Sequence, residues 1–367
     1  MHICHVIDNM FLDQGGPVAV VHGLSRAQVG AGDRVTVVCR RQLRPEESRR
    51  TEHDLGGAAL REIDGLPDGS AKSRLWRVLS ELKPDVLHLH AVWEPIQRHA
   101  AVWARRHRIP WVLSSHGMLH PEPMSKGWLK KRVYLRTLGG AVTGAWRILA
   151  VNDEESEFVR RDLGVVSEVM PNGFDFDSGT EQEISSTAAP EGAVLFIGRL
   201  QALKGIQGLV RAYALAVQAG MNCPLVLIGP DEGDLESILR VARDAGVHDR
   251  VRPLGPIYGH AKRDALRHCC MLAHRPRYEG FGMAIVEAMA EARPVVTTTR
   301  AGIARQCPPG ILRLAPDTDE AFAEAMLEVW RDPSRSSAMG SRARTWVKSN
   351  LSWPVIAKRV RTSYLGR

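Results

Sequence analysis

The segment VLFIGRLQALKG (194–205) decides the fold, because it joins a short apolar run to a glycine-bounded loop and then opens a helix. A continuous apolar run of this kind is typical of a strand in a parallel sheet that is covered on both faces. A strand, a loop and a helix in this order form the repeating unit of α/β folds. The segment therefore predicts an α/β domain with parallel strands.

Strand-like apolar runs alternate with helical patterns on both sides of this segment. Before it, these runs are HICHVI (2–7), RVTVVCR (34–40), DVLHLH (85–90), WVLSSH (111–116) and RILAV (147–151). After it, they are PLVLIG (224–229), VRPLG (251–255), CCMLAH (269–274) and PVVTTT (294–299). A polar stretch rich in Gly, Ser and Thr (169–192) separates the two sets and predicts a linker. The chain is therefore predicted to form two α/β domains, each with a parallel sheet.

We expect three parts: an N-terminal domain (1–172), a C-terminal domain (173–350) and a terminal helix (351–367) that packs back toward the N-terminal domain. In open parallel sheets, ligands bind at the carboxyl ends of the strands. With two such domains, we expect the site in the cleft between them. The residues at candidate strand ends are Gly15, Gly16, His116, Arg199 and the loop 279–283.

Composition favours a soluble globular protein. Of 367 residues, 44% are hydrophobic and 25% are charged, and no apolar run approaches the length that spans a bilayer. The first residues lack the features of a signal peptide, and the six cysteines show no CxxC or zinc spacing. We therefore expect a cytoplasmic protein with reduced thiols. The net charge of +8 is compatible with an anionic partner.

The positive charge is concentrated in SKGWLKKRVYLR (125–136), which holds five cations, no acid and several interleaved apolar residues. At helical spacing, this pattern fits a basic helix that lies on anionic lipid on the cytoplasmic face of the inner membrane. It fits equally well a solvated helix whose apolar side packs inward. The sequence leaves both interpretations open.

Arg199 and Lys204 lie in the loop that opens the helix after VLFIG. Free N–H groups and the helix dipole favour an anion at such a position, so the two cations predict a phosphate site. Two solvated cations are the alternative interpretation.

The stretch RYEGFGMAIVEAMA (277–290) contains a second glycine loop before a helix that is predicted to begin near Met283. Gly280 and Gly282 allow the backbone to approach a ligand, and the helix start directs N–H groups at it. Glu279 and Glu287 repel phosphate but suit pairs of hydroxyl groups, so they predict contacts with the two sugars of a nucleotide sugar. Alternatively, Glu287 only complements the helix dipole and Glu279 is a turn residue.

Taken together, the motifs resemble the retaining glycosyltransferases of GT-B architecture, of the group 1 or family 4 type. The resemblance covers nearly the whole chain. The matching elements are Gly15-Gly16, SSHGML (114–119), PNGFD (171–175), Gly198-Arg199-x(4)-Lys204, Glu279-x(7)-Glu287 and LSWPVIAKRV (351–360). The resemblance implies two Rossmann-like domains that face each other across a deep cleft, with the donor on the C-terminal domain and the acceptor on the N-terminal one.

The resemblance also assigns roles to residues. Arg199 and Lys204 would hold the donor diphosphate, Glu287 the ribose, and His116 would lie near the donor sugar. Glu279 and the backbone of Phe281, Gly282 and Met283 would contact the hexose and the diphosphate, next to Gly280. Gly15 and Gly16 would lie near the reacting centre.

The implied activity is the retaining transfer of a hexose from a UDP- or GDP-sugar to a glycan acceptor that we expect to be lipid-linked, in the synthesis of cell-surface polysaccharide or lipopolysaccharide. The co-substrate is the nucleotide sugar, and no metal is expected. The triplet Asp175-Phe176-Asp177 imitates a metal-binding DxD motif, but it follows the linker rather than a nucleotide-binding strand.

Some positions depart from the family pattern. Arg275-Pro276 stands where Pro-Ser is usual, Glu291-Ala292 replaces a small turn, and Arg305 replaces a glutamate. These departures keep three alternatives open: an inactive GT-B partner subunit, a sugar-nucleotide epimerase, and a phosphate-binding protein associated with nucleic acid. Because the chain shows no basic-aromatic stacking platform and no helix-turn-helix pattern, a nucleic-acid partner is not expected.

Overall fold

In the computed structural model of the protein, the described residues are 1–10, 16–41, 55–64, 70–137, 139–176 and 189–366. The chain forms two compact units. Unit 1 comprises Met1–Gly173 and Ser352–Arg367, and unit 2 comprises Phe174–Leu351. The terminal helix therefore belongs to unit 1.

Unit 1 is built on a seven-stranded sheet in the order β3-β2-β1-β4-β5-β6-β7, and all of its strand pairs are parallel. Its strands are β1 (His2–Val6), β2 (Arg34–Arg41), β3 (Ala59–Asp64), β4 (Val86–His90), β5 (Trp111–Ser114), β6 (Arg147–Ala150) and β7 (Ser167–Val169). Its helices are α1 (Gly16–Gly30), α2 (Ser70–Leu82), α3 (Pro95–His107), α4 (Pro121–Ser125), α5 (Trp128–Thr137), α6 (Gly140–Thr143), α7 (Asp153–Leu163) and α15 (Trp353–Tyr364).

The central strands of unit 1 are buried along their whole length, as the apolar runs predict. In the register between β1 and β4, His5 pairs with His88. Because side chains alternate along a strand, His88 and His90 lie on the same face of β4. The register thus brings three histidines together at the carboxyl ends of two neighbouring strands.

Unit 2 is built on a six-stranded parallel sheet in the order β10-β9-β8-β11-β12-β13. Its strands are β8 (Val194–Ile197), β9 (Leu225–Ile228), β10 (Val251–Gly255), β11 (Met271–His274), β12 (Val295–Thr297) and β13 (Arg313–Leu314). Its helices are α8 (Ile206–Gln218), α9 (Leu235–Asp244), α10 (Gly259–His268), α11 (Met283–Ala290), α12 (Gly302–Gln306), α13 (Asp319–Arg331) and α14 (Pro333–Leu351).

Strands β8 and β11 are neighbours in the middle of this sheet, and their pairing positions the candidate site. Since parallel strands end at the same edge, the loops that follow β8 and β11 emerge side by side. Helix α8, which follows the first of these loops, packs in a core in which Tyr213 and Phe322 are fully buried.

The apolar runs correctly predicted two α/β domains with parallel sheets. The apolar runs did not predict three of the strands, which are β3, β7 and β13. They pair at or near the sheet margins, and β3 (ALREID) carries charges, so their sequences lack a continuous apolar run. Within the described part of the chain, no helix is both long enough and apolar enough to cross a membrane.

Candidate functional site

The loop after β8 carries the two cations that the sequence singled out. Gly198 and Gly229 lie so close that a Cβ on Gly229 would approach the Gly198 carbonyl oxygen to 2.0 Å. Arg199 follows and is exposed, and its Nη1 lies 3.1 Å from Glu232 Oε1. Lys204 ends a single 3-10 turn (Ala202–Lys204) just before α8.

Gly205 joins this loop to the loop after β11. It has φ +67°, and a Cβ at this position would lie 2.1 Å from the carbonyl oxygen of Arg275. The Leu203 carbonyl accepts hydrogen bonds from the N–H groups of Arg277 (3.0 Å) and Tyr278 (3.3 Å). Only glycine fits this position, and the two loops are therefore held as one structure.

Glu279 lies at the centre of the joined loops. Its side chain is 17% exposed, and its Oε2 accepts from the Lys204 ammonium and lies 3.2 Å from His274 Nε2. Burial alone would raise the pKa of Glu279, but the hydrogen bond from His274 and the charge of Lys204 outweigh burial and lower the pKa to about 2. Glu279 is thus a carboxylate at neutral pH, and its Oε1 has no hydrogen-bond partner within the described ranges.

His274, the last residue of β11, contacts Glu279 through its Nε2. The ring is buried, with its centroid 5.5 Å from that of Phe196. Its Nδ1 has no hydrogen-bond partner among the residues that the structure describes. No sequence motif connects His274 to Glu279, because the two are brought together only by the turn after β11.

Helix α11 begins at Met283, as predicted, with Gly282 as its N-cap at φ +105°. Its first backbone hydrogen bonds are donated by Ile285 and Val286 to the Gly282 carbonyl. The N–H groups of Met283 and Ala284 have no acceptor among the described residues, and the first turn carries no acid. This helix start is therefore suited to an anion.

Glu287 lies one turn further along α11 and has different surroundings. Its Oε1 lies 2.8 Å from the Lys262 ammonium of α10. Glu287 and Lys262 line a pocket of about 270 Å³ together with Gly259 and His260. The two glutamates thus have separate cationic partners and separate places in unit 2.

The positions that depart from the family pattern have structural contacts. Arg275 is buried, where it forms ion pairs with Asp319 and Asp317 (3.1 Å) and donates to the Gly208 carbonyl (2.8 Å). Glu291 forms ion pairs with arginines of α10. Because Arg275 is buried, removal of its acidic partners would leave its charge uncompensated, so its guanidinium is committed to contacts within unit 2.

In unit 1, the loop after β5 carries His116 at φ +53°. The buried carboxylate of Glu155 fixes this loop, because it accepts from the N–H groups of Gly117 (3.2 Å), Leu119 (2.9 Å) and Val151 (3.0 Å). Burial raises the pKa of Glu155, against the effect of these donors. The backbone around His116 is therefore rigidly held.

His116 belongs to a histidine cluster that sequence reasoning missed. Its Nε2 lies 3.1 Å from His90 Nδ1, and His90 Nε2 lies 2.9 Å from His5 Nδ1. The ligand atoms of His5, His88 and His90 lie within 4.8 Å of one another. Because both nitrogens of each of these three rings are already hydrogen-bonded, the cluster is a hydrogen-bond network and not an open set of metal ligands. The alternation of His88 and His90 was the only sequence signal.

Gly16 begins α1, whereas the expected contacts of Gly15 lie outside the described residues. The same is true of Asp177, the last residue of the DxD-like triplet.

Helix α5 holds most of the basic stretch. Its side chains of Trp128 (56%), Leu129 (60%) and Val133 (52%) are exposed, and Leu135 is buried. The alternative in which the apolar side of this helix packs inward is therefore wrong for Trp128, Leu129 and Val133, and it holds for Leu135. Trp128, Arg132 and Arg136 also line a pocket of about 360 Å³.

Comparison with known families gives a match over each half of the chain. Residues 178–346 match the family described as glycosyl transferases group 1, and residues 14–178 match glycosyltransferase family 4. The two matches together span most of both units.

Individual relatives extend this picture. The D-inositol 3-phosphate glycosyltransferase 1 of Catenulispora acidiphila is 25% identical over 325 residues, which cover 78% of this chain and 76% of the relative. The GDP-mannose:cellobiosyl-diphosphopolyprenol alpha-mannosyltransferase of Xanthomonas oryzae pv. oryzae is 25% identical over 300 residues, with coverage of 79% and 76%. Among solved structures, Anabaena HepE in complex with UDP-glucose superposes with a TM-score of 0.74 at 19% identity and full coverage of both chains.

Proposed function

Because the chain belongs to the group 1 and family 4 glycosyltransferases and has the GT-B fold, we propose that it moves a hexose from a UDP- or GDP-sugar to a lipid-linked glycan with retention of configuration. Glycosyl transfer from a nucleotide sugar is the activity of the family; the hexose, the stereochemistry and the acceptor are the proposal. One observation carries the donor site: Lys204, Glu279 and the open start of α11 lie on two loops that are fastened together.

The diphosphate of the donor is proposed to bind at the start of α11. The N–H groups of Met283 and Ala284 would donate to its oxygens, and Lys204 and Arg199 would supply positive charge. Both cations are paired with carboxylates in this structure, so the diphosphate would compete with Glu279 and Glu232 for them. Preorganised donors that face developing charge are worth roughly 3–4 kcal/mol each, and we propose that they act without a metal.

The sugars are proposed to bind on either side of the diphosphate. Glu279 Oε1 is available to accept from a hexose hydroxyl, while Oε2 keeps its contact with His274. Glu287, fixed by Lys262 in the neighbouring pocket, would accept from the ribose hydroxyls. By the motif resemblance, His116 of unit 1 is assigned to the transferred sugar and Gly15-Gly16 to the reacting centre.

In the proposed reaction, the bond between the anomeric carbon and the diphosphate oxygen breaks while the acceptor oxygen bonds to the same face of the sugar. The acceptor proton passes to the departing diphosphate, and the bonding electrons leave with that group. The retaining outcome rests on the motif resemblance alone. The role of this chain's residues is to stabilise the charge that develops on the leaving group.

A lipid-linked acceptor is supported by α5 and by the relatives. Exposed Trp128, Leu129 and Val133 stand among Lys130, Arg132 and other cations, a combination suited to an anionic lipid surface. One relative is named for a diphosphopolyprenol acceptor.

Cosedimentation with vesicles of anionic and of neutral lipid tests whether α5 binds a lipid surface. We expect binding only to anionic vesicles, with loss in Leu129→Glu/Val133→Glu. Equal binding of the double variant would remove α5 from the proposal.

A thermal-shift screen against UDP-, GDP- and ADP-sugars tests the donor assignment, followed by transfer assays with the donor that binds. A ligand at 100 times its Kd stabilises by about 2.7 kcal/mol, so the shift should be clear in wild type and absent in Lys204→Ala. If no sugar nucleotide shifts the melting temperature, the inactive-partner alternative replaces the proposal. If the donor is converted without any acceptor, product analysis would favour an epimerase.

A further inference from the structure

A buried series of hydrogen bonds in unit 1 leads from Gln28 to His116. Gln28 Oε1 lies 2.7 Å from His5 Nε2, and the series continues through the links from His5 to His90 and from His90 to His116. Gln28, His5 and His90 are almost completely buried. The proposed function uses only His116, so the other three members have no assigned role.

Each imidazole in the series carries one ring proton at neutral pH. Burial lowers the pKa of His5 to about 4 and the pKa of His116 to about 4. Burial, with the neighbouring rings, lowers the pKa of His90 well below its usual value. A neutral imidazole has one donor nitrogen and one acceptor nitrogen, so each link must have a direction.

Gln28 sets that direction. A carbonyl oxygen only accepts, so His5 Nε2–H donates to Gln28 Oε1. His5 Nδ1 then has no proton and accepts from His90 Nε2–H, and His90 Nδ1 accepts in turn from His116 Nε2–H. One amide thereby determines the tautomer of three rings.

A second series of bonds holds the other end of this amide. Gln28 Nε2 donates to the Tyr364 hydroxyl (3.0 Å), which donates to His88 Nδ1 (2.8 Å). His88 Nε2 lies 2.8 Å from Ser114 Oγ and donates to it. The amide thus has its Nε2 on Tyr364 of α15 and its oxygen on His5.

We propose that His5 and His90, oriented by Gln28, are positioning residues that hold His116 as the Nε2–H tautomer, so that its Nδ1 accepts a hydrogen bond from a hydroxyl group of a sugar substrate. This inference rests on the proposed function, which assigns His116 to the transferred sugar. His116 Nδ1 has no hydrogen-bond partner in the described part of the chain, and the Glu155 contacts hold the loop that carries it. A ring in the other tautomer would present an N–H group at Nδ1, which can donate to a hydroxyl oxygen but cannot accept from a hydroxyl hydrogen.

Nitrogen NMR of the whole chain with ¹⁵N-labelled histidine, recorded without substrate at neutral pH, tests the tautomer directly. The His116 signals are identified by their absence in His116→Asn. We expect the Nε2–H pattern for His116 in wild type, where the Gln28 oxygen fixes the direction of the series. Gln28→Leu removes that oxygen and should give a mixture of tautomers. An Nδ1–H pattern in wild type would overturn the proposal, whatever the variants show.

Kinetics test the role in transfer. In Gln28→Leu, we expect kcat to fall about tenfold with the donor KM unchanged. In the control Arg160→Ala, which removes an exposed cation of α7, we expect kcat to stay within twofold of wild type. If Gln28→Leu has mixed His116 tautomers but the kcat of wild type, the proposed positioning role in transfer is wrong. The donor-induced thermal shift reports on unit 2 and therefore separates the proposed function from the tautomer proposal. If wild type shows no shift, the proposed function is wrong. The NMR pattern still decides the tautomer of His116.

Discussion

The candidate site residues of the two units are buried in opposite ways. Unit 1 holds neutral histidines that are joined by directional hydrogen bonds, with their pKa values lowered by burial. Unit 2 holds charged pairs, in which Glu279 contacts Lys204 and His274, and Glu287 contacts Lys262. A neutral network fixes orientation and responds little to salt, whereas charged pairs can exchange partners with an incoming anion. The difference is in keeping with the proposal that unit 1 positions a group and unit 2 captures a charged ligand.

The strongest way to break this comparison is to remove the exchangeable cation. We expect Lys204→Ala to lower glycosyl transfer by roughly 100-fold or more, because it removes a donor that faces the leaving diphosphate. The measurement is kcat/KM with the donor found by thermal shift. The matched control is Arg240→Ala, which removes an exposed cation of α9 and should change transfer less than twofold. Wild-type activity in Lys204→Ala would exclude the assigned site.

We expect mild acid to destabilise unit 1 before it destabilises unit 2. His5 has a folded pKa of about 4 against 6.5 when unfolded, so its contribution is complete above pH 6.5 and is lost as the pH falls toward 4. The loss for this residue alone is roughly 3 kcal/mol by pH 4. Glu279 has a folded pKa of about 2, so its contribution persists above its unfolded value and is lost only below about pH 4.5.

Hydrogen exchange followed by mass spectrometry, corrected for intrinsic rates, measures this difference between pH 7 and pH 5. We expect β1 and β4 to lose protection before β8 and β11 do. Earlier opening of unit 2 would contradict the proposed division between neutral and charged networks.

A smaller effect should come from Glu287. The change Glu287→Gln keeps the size of the side chain but weakens its hydrogen bonds to hydroxyl groups and its pair with Lys262. Because hydrogen bonds to charged groups contribute about 1.5–3 kcal/mol, we expect the donor KM to rise about tenfold with little change in kcat. Steady-state kinetics measure this, with Glu236→Gln on the exposed face of α9 as the control. An unchanged donor KM would indicate that Glu287 only complements the dipole of α11 and does not contact the donor.

Local patterns allowed much of the fold and part of the site to be predicted. The apolar runs predicted the central strands, and glycines beside cations or carboxylates indicated that the loops after β8 and β11 bind a ligand. The partners of these residues were not predictable, because they depend on register and on distant contacts. His5 meets His90 only through strand pairing, and Gln28 meets Tyr364 across 336 positions in the chain. Arg275 was likewise noted as a departure, but its buried ion pairs with α13 and the preceding loop emerge only in three dimensions.

The most direct test of the central claim is a crystal structure of the whole chain with an unhydrolysed nucleotide sugar bound. We expect diphosphate oxygens within hydrogen-bond distance of Lys204 and of the Met283 N–H, with Glu279 on the hexose and Glu287 on the ribose. A diphosphate bound away from Lys204, or either glutamate turned away from the carbohydrate, would contradict it.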